Sequence, residues 1–126
     1  MLRTAWALAR VKACFESRTA GVRDLLTIRS SFKKLGLIID AGMVSLDIVE
    51  VLLLPPLRAS AAAKVCESLP ALFRSAGASR EAVKAVAYLR EAAAAQRLHK
   101  HDVKHVRHFL DHGDERGEPF SPPETA

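Results

Sequence analysis

The chain has few of the residues that interrupt helices. Its 126 residues include six glycines and six prolines, and every proline except Pro70 lies in the Pro55–Pro56 pair or near the carboxyl terminus. Aromatic residues make up only 6% of the chain, whereas apolar residues make up 49%. The core must therefore be built largely from Ala, Leu and Val, and the long middle of the chain is free to form helices. This composition predicts an all-α fold.

Cysteine is equally scarce. Cys14 and Cys66 are the only two, and they lack the CxxC spacing of zinc and redox sites. Both lie where helical periodicity favours small apolar residues, so we expect free, buried thiols. Free thiols are typical of a reducing cytosol, and we expect a cytoplasmic protein.

Apolar runs long enough to span a membrane are also absent from the sequence pattern. The most apolar region, residues 35–54, contains Asp40, Asp47 and Glu50. Each of these would cost about 2.5–3.5 kcal/mol at the centre of a bilayer. The stretch after Met1 is interrupted by Arg3, and it does not resemble a secretory signal. We therefore predict neither a membrane span nor a signal peptide.

Sequence motifs typical of catalytic sites are missing as well. The sequence shows no nucleophile spaced with a base, no carboxylate pair typical of glycosidases and no glycine-rich phosphate loop. It also lacks a cofactor fingerprint. We expect a protein that is not an enzyme and that uses no cofactor.

The chain does contain an internal repeat of 41 residues. Five residues of the first copy return as identical or similar residues in the second: Phe32, Gly36, Asp40, Ala41 and Ile48 become Phe73, Gly77, Glu81, Ala82 and Leu89. Each copy shows an apolar helix end, a glycine stop, an acidic first turn and a second apolar helix. This pattern predicts antiparallel helical hairpins stacked as a short α-solenoid, with both glycines in the left-handed conformation.

Periodicity and punctuation predict about six helices. Five of them cover about residues 4–16, 22–35, 39–54, 61–76 and 100–112, and the fifth helix in chain order begins after Ser79, its N-cap, and includes Ala92. Pro70 should kink or split the fourth helix. Residues 1–112 then form a helical repeat domain, and residues 113–126, rich in proline and acids, form a tail without a core that is disordered or loosely docked.

The two copies resemble a known family. The segments LTIRSSFKKLGLIIDAGMVSLDIVEVLL and CESLPALFRSAGASREAVKAVAYLREAA are similar to the tetratricopeptide-like carboxy-terminal regions of bacterial multidomain proteins, through a helix ending F-x-x-x-G and a following D/E-A. The period of 41 departs from the regular 34. The resemblance implies a scaffold or interaction module whose groove binds a peptide or protein partner. The first helix resembles the second helix of a preceding hairpin, so the chain is expected to end a longer array or to derive from one.

Histidines cluster near the end of the predicted domain. On a helix, four of them share one side: His101, His105, His108 and His112. Pairs four residues apart can bind a transition metal, although solvated histidines explain the pattern more simply. The neighbouring Lys100, Lys104 and Arg107 make a basic strip, so metal binding and nucleic-acid binding by a small basic regulator both remain alternative functions.

Two other features predict contacts. Residues 1–36 carry eight Lys or Arg against two acids, which suits a solvated face or an acidic partner. Leu53, Leu54 and Leu57 surround the Pro55–Pro56 pair, and we expect them either to seal a hairpin or to form a homodimer interface. Trp6 is expected to anchor the core. In the first helix, spacing predicts one apolar face made of Trp6, Ala7, Leu8, Val11, Cys14 and Phe15.

Overall fold

The computed structural model describes residues 2–123 and contains six α-helices. These are α1 (Leu2–Phe15), α2 (Arg18–Lys34), α3 (Ile38–Leu52), α4 (Ala59–Ser75), α5 (Arg80–Ala94) and α6 (Lys100–His108), which continues as a π-helical turn at Phe109–Gly113. No strand occurs within the described residues, and none of their helices is long and apolar enough to cross a bilayer. The prediction of an all-α stack of hairpins is confirmed.

The repeat is visible in the structure. Helices α2 and α4 each have 17 residues, and both their ends are displaced by 41 positions. The repeated apolar residues occupy the same kind of place in both hairpins, since Phe32 and Phe73, Ala41 and Ala82, and Ile48 and Leu89 are all buried. The periodic sequence therefore produces two equivalent packing units.

A left-handed glycine closes the first helix of each hairpin. Gly36 has a φ of 76° and Gly77 a φ of 74°. After each glycine the backbone turns back, and the amides of Leu37 and Ala78 donate to the carbonyls of Phe32 and Phe73 at 2.8 and 3.1 Å. These bonds satisfy carbonyls that a helix end leaves without partners. The predicted conformation of both glycines is confirmed.

The structure agrees with the local sequence signal at the start of α5. It differs from the expected effect of proline inside α4. The hydroxyl of Ser79 accepts a hydrogen bond from the amide of Ala82 at 3.0 Å, as expected for an N-cap. Pro70 is buried inside α4, which runs from Ala59 to Ser75 without a break, so of the two expected outcomes, a kink or a split, the split does not occur. Packing of α4 against both α3 and α5 outweighs the one backbone bond that proline removes.

Helix α3 lies at the centre of the molecule. It contacts α1, α2, α4 and α6, and ten of its 15 residues are buried. Helix α6 packs on α3 and α5 with Val103 and Val106 fully buried, so it closes the end of the stack and also covers the middle hairpin. The stack is therefore more compact around α3 than an open array.

Helix α1 buries a different face from the one that sequence spacing suggested. Its interior residues are Ala9 and Ala13, and Gly21 of α2 comes so close that a Cβ on it would lie 2.3 Å from the Cα of Ala13. Small residues allow this close approach, and they leave the larger Leu8, Val11 and Phe15 exposed. Because α1 packs through Ala9 and Ala13, Cys14 is also exposed. The prediction of two buried thiols is therefore correct only for Cys66.

The segment after Gly113 contributes to the core. The side chain of Phe120 is buried against the rings of Phe109 and Tyr88, with centroid distances of 5.3 and 5.9 Å. Its amide donates to Glu81 at 2.7 Å. The expectation that this segment has no core is thus wrong, because one phenylalanine finds an apolar site between α5 and the π-helical turn. Residues 124–126 of the predicted tail lie outside the described residues.

Candidate interaction surface

A notch of about 470 Å³ opens between α1, α3 and the end of α6. We call it the arginine notch, and its lining residues are Arg3, Trp6, Ala7, Arg10, Met43, Arg107 and Asp111. It exists because α6 returns over α3 on the same side as α1, which leaves a gap between two helices that are far apart in the sequence.

The carboxylate of Asp47 holds the three walls of the notch together. It accepts hydrogen bonds from the indole nitrogen of Trp6 on α1 and from the guanidinium of Arg107 on α6, and Arg10 approaches it to 3.5 Å. Arg107 also donates to the carbonyl of Met43 at 3.1 Å. The Asp47 side chain is only 1% exposed. A buried carboxylate is tolerated when charged and polar donors surround it, as they do here.

Trp6 has two roles in this arrangement. Its ring packs edge-on against Phe32 with centroids 5.7 Å apart, which fits the expected anchoring role. The ring is nevertheless only partly buried, and it also lines the notch. Trp6 and Asp47 are 41 residues apart and thus occupy the same position in successive repeat units. The bond between them ties one unit to the next.

The charges of the notch are arranged with cations outward. Arg3 pairs with Asp40 at 3.3 Å, and the two side chains are 73% and 23% exposed. Arg10 is 51% exposed, whereas its partner Asp47 is buried. Asp111 is an exposed acid on the rim. Because two paired acids point inward and their arginines face the solvent, the accessible wall of the notch is mainly cationic.

The four predicted metal-binding histidines do not share one environment. His105 is partly buried, with its ring nitrogen donating to the carbonyl of Ser121 at 2.8 Å and its edge against Phe120. The rings of His108 and His112 lie with centroids 4.7 Å apart and are tilted by 51° to each other, while His101 is exposed. Within residues 2–123 no three His, Cys, Asp or Glu side chains lie close enough to hold a metal. Metal binding by a histidine pair stays a prediction.

A second buried carboxylate supports the start of α6. Asp102 accepts from the backbone amide of His99 at 2.8 Å and from the hydroxyl of Tyr88 at 3.2 Å. Partial burial raises the pKa of Tyr88, and the negative charge of Asp102 raises it further. This contact fixes α6 on α5 and so positions Arg107 at the notch.

The leucine segment is divided between interior and surface. Leu53 is buried, and Leu54 is partly buried with its carbonyl accepting from Arg18 at 2.7 Å. Leu57 is exposed beside a depression of about 550 Å³ formed with the end of α5. Sealing of the hairpin therefore accounts for Leu53, and Leu57 alone offers a large free apolar side chain.

Sequence reasoning did not find the centre of the notch. In the sequence, Asp47 indicates only that its helix does not span a membrane, and Arg107 only belongs to a basic strip. The available signal was that Asp47 lies in the most apolar helix, one repeat length from the only tryptophan. Comparison of the chain with protein-family models, with curated proteins and with solved structures finds no match.

Proposed function

We propose that this chain is a non-catalytic interaction module, a short tetratricopeptide-like solenoid that binds an acidic segment of a cytoplasmic protein partner in the arginine notch. The observation that supports this most directly is the network around Asp47. It holds α1, α3 and α6 together and places a tryptophan, a methionine and three arginines around one opening.

The walls of the notch suit a peptide better than a small metabolite. Trp6, Ala7 and Met43 supply an apolar surface that side chains of an extended segment can cover. The arginines supply donors for carboxylates at both sides of that surface. Since Arg107 is already bonded to Asp47 and to the backbone carbonyl of Met43, its position is fixed before a ligand arrives.

The preference for acidic residues rests on exposure. Arg3 and Arg10 present most or half of their side chains to the solvent, while Asp40 and Asp47 lie beneath them. A ligand carboxylate that approaches α1 would therefore meet guanidinium groups before it met Asp40 or Asp47. Replacing both exposed arginines by glutamate would reverse this preference.

Selection from a phage-displayed library of random peptides tests the proposal. The wild-type chain should enrich peptides that combine acidic and apolar residues, and an Arg3→Glu/Arg10→Glu double variant should not bind them. Arg23→Glu, an exposed cation of α2 outside the notch lining, is the matched control and should retain the peptides. Enrichment of the same peptides by the double variant would refute the proposal.

Nucleic acid is the alternative ligand for exposed arginines. Random single-stranded DNA offers phosphates, and its binding would weaken steeply between about 50 and 200 mM salt. We expect little binding at the upper concentration, because the notch holds one tryptophan and no series of aromatics for stacking successive bases. Tight DNA binding that requires Arg3 and Arg10 would support the basic regulator instead.

A further inference from the structure

Helix α1 carries a second apolar face that nothing covers within residues 2–123. Leu8, Val11 and Phe15 follow one another at helical spacing and are 65%, 52% and 84% exposed. They lie on the side opposite Ala9 and Ala13, which face the interior. Among the described helices, α1 packs mainly on α2 and α3. We call these three exposed residues the α1 stripe.

The internal repeat shows what such a face does elsewhere in the chain. One repeat length after Leu8 and Val11 come Val49 and Leu52 of α3, and both are buried. Helix α3 packs against four neighbouring helices, whereas α1 packs mainly on α2 and α3. The α1 stripe therefore has the composition of an interface between helices, at a place where residues 2–123 supply no helix.

The other end of the stack cannot fill this gap in a second molecule. Its outward surface on α6 is made of His101, Lys104 and His108, which are all exposed and polar. Pairing of one end with the other would bury these groups against leucine and phenylalanine without partners, and that is unfavourable. A contact of the α1 stripe with α6 of a second molecule is thus unfavourable, and we favour a like-with-like contact.

The surroundings of the stripe permit a like-with-like contact. Lys12 lies one helical turn after Leu8 and is already paired with Asp24 of α2 at 3.0 Å, so this pair adds no net charge beside Leu8. Beside Leu8 lies a depression of about 380 Å³ between α1 and α2, floored by Ala9 and Ile28. This depression offers room for a large apolar side chain from another molecule.

We infer that the α1 stripe is the interface of a two-fold symmetric homodimer. The two α1 helices pack antiparallel, with Val11 near the symmetry axis and Leu8 of each copy against Phe15 of the other. In this arrangement Phe15 enters the depression beside Leu8. The contact lies on a different side of α1 from Trp6 and Arg10, so it leaves the arginine notch of each copy open and does not depend on the proposed function.

The size of the contact predicts a weak dimer. Helix α1 has 14 residues and is thus about 21 Å long. A pair of such helices with the adjoining edge of α2 would bury roughly 1,000 Å² in total, near the lower limit for specific interfaces. We therefore expect dissociation in the micromolar range, and a population of dimer that changes with concentration.

Analytical ultracentrifugation of the full chain over a wide concentration range tests this inference. The wild type should shift from monomer to dimer, and a Leu8→Gln/Phe15→Gln variant should dimerise about 100-fold more weakly. Both side chains are exposed in the monomer, so the variant should keep the wild-type circular dichroism and thermal midpoint. Leu35→Gln and Leu57→Gln, which alter equally exposed leucines elsewhere, should leave the dimer unchanged.

Disulfide trapping locates the symmetry axis. In a Cys14→Ser background, Val11→Cys should form a covalent dimer under mild oxidation, and Leu35→Cys should not. A wild type that stays monomeric at every concentration would overturn the inference. So would a dimer that survives the α1 substitutions but is lost in Leu57→Gln, because that result would assign the interface to the leucine segment.

Discussion

Trp6 and Asp47 stand one repeat length apart in the sequence and are joined by a hydrogen bond of 2.5 Å in the fold. The same position of the repeat has thus become an indole donor in one unit and a carboxylate acceptor in the next. Arg107 of α6 adds a third partner from 60 residues further along the chain. Trp6, Asp47 and Arg107 thus form one polar cluster, and the arginine notch surrounds it.

Removing Asp47 should destabilise the whole molecule. Asp47→Ala leaves the partly buried Arg107 guanidinium and Trp6 nitrogen without their shared acceptor, and we expect a loss of about 3 kcal/mol in the free energy of unfolding. Asp40→Ala removes the more exposed pair with Arg3 and should lose at most about 1 kcal/mol. Urea denaturation of both variants gives the comparison, and equal losses would contradict a central role for Asp47.

Gly36 and Gly77 should be sensitive because of conformation rather than space. No atom lies within 4 Å of a Cβ added at either position, so alanine would suffer only the strain of a positive φ, about 1 kcal/mol. Gly42→Ala is the opposite case, since its Cβ would lie 2.4 Å from the Phe73 ring, and overpacking should cost about 1–3 kcal/mol. Gly36→Asn should destabilise the protein less than Gly36→Ala, because asparagine tolerates a positive φ better than alanine does. Equal losses of stability in the two variants would count against the left-handed turn.

Phe120 should matter more than its place near the carboxyl terminus suggests. Phe120→Ala removes a buried ring between Phe109 and Tyr88 and should lower the free energy of unfolding by about 2–3 kcal/mol, less than a central site because the segment can detach locally. The neighbouring Pro119→Ala, at an exposed position, is the control and should be nearly neutral. Thermal unfolding measures both, and equal midpoints would mean that the segment is not docked in solution.

The two thiols should differ in reactivity. Burial raises the pKa of Cys66 to about 12, so its thiolate is scarce at neutral and mildly alkaline pH, and the fold also blocks access to it. Cys14 is exposed. Titration with a disulfide reagent at pH 8 should label one thiol in the native protein and two in denaturant, and Cys14→Ser should abolish the native reaction. Rapid labelling of Cys66 in the native Cys14→Ser protein would be inconsistent with this packing.

The fold was accessible from the sequence where short-range signals agreed with one another. Gly36 and Gly77, the Ser79 cap and the repeated phenylalanines each specify a local conformation, and a period of 41 specifies how the units stack. The face of α1 was misassigned because close packing against Gly21 selects the small residues of that helix. Periodicity alone treats Ala9 and Leu8 as equivalent candidates for burial.

The candidate site was less accessible, because its residues come from three distant helices. Nothing local to Asp47 indicates that α6 will return across α3 and bring Arg107 to it. The burial of Phe120 could not be predicted for a similar reason. Its local sequence, a single aromatic residue in a proline-rich segment, does not indicate which residues it packs against. Long-range pairs of this kind depend on the complete packing of the chain.

Fluorescence of Trp6 tests the central claim most directly, because this residue is the only tryptophan and it lines the arginine notch. Titration with an acidic peptide selected on the wild-type chain should change the emission saturably. The change should disappear in Arg3→Glu/Arg10→Glu and persist in Arg23→Glu. Binding of that peptide with no change in Trp6 emission, and with equal affinity for the double variant, would show that the partner binds elsewhere and that the notch is not the site of interaction.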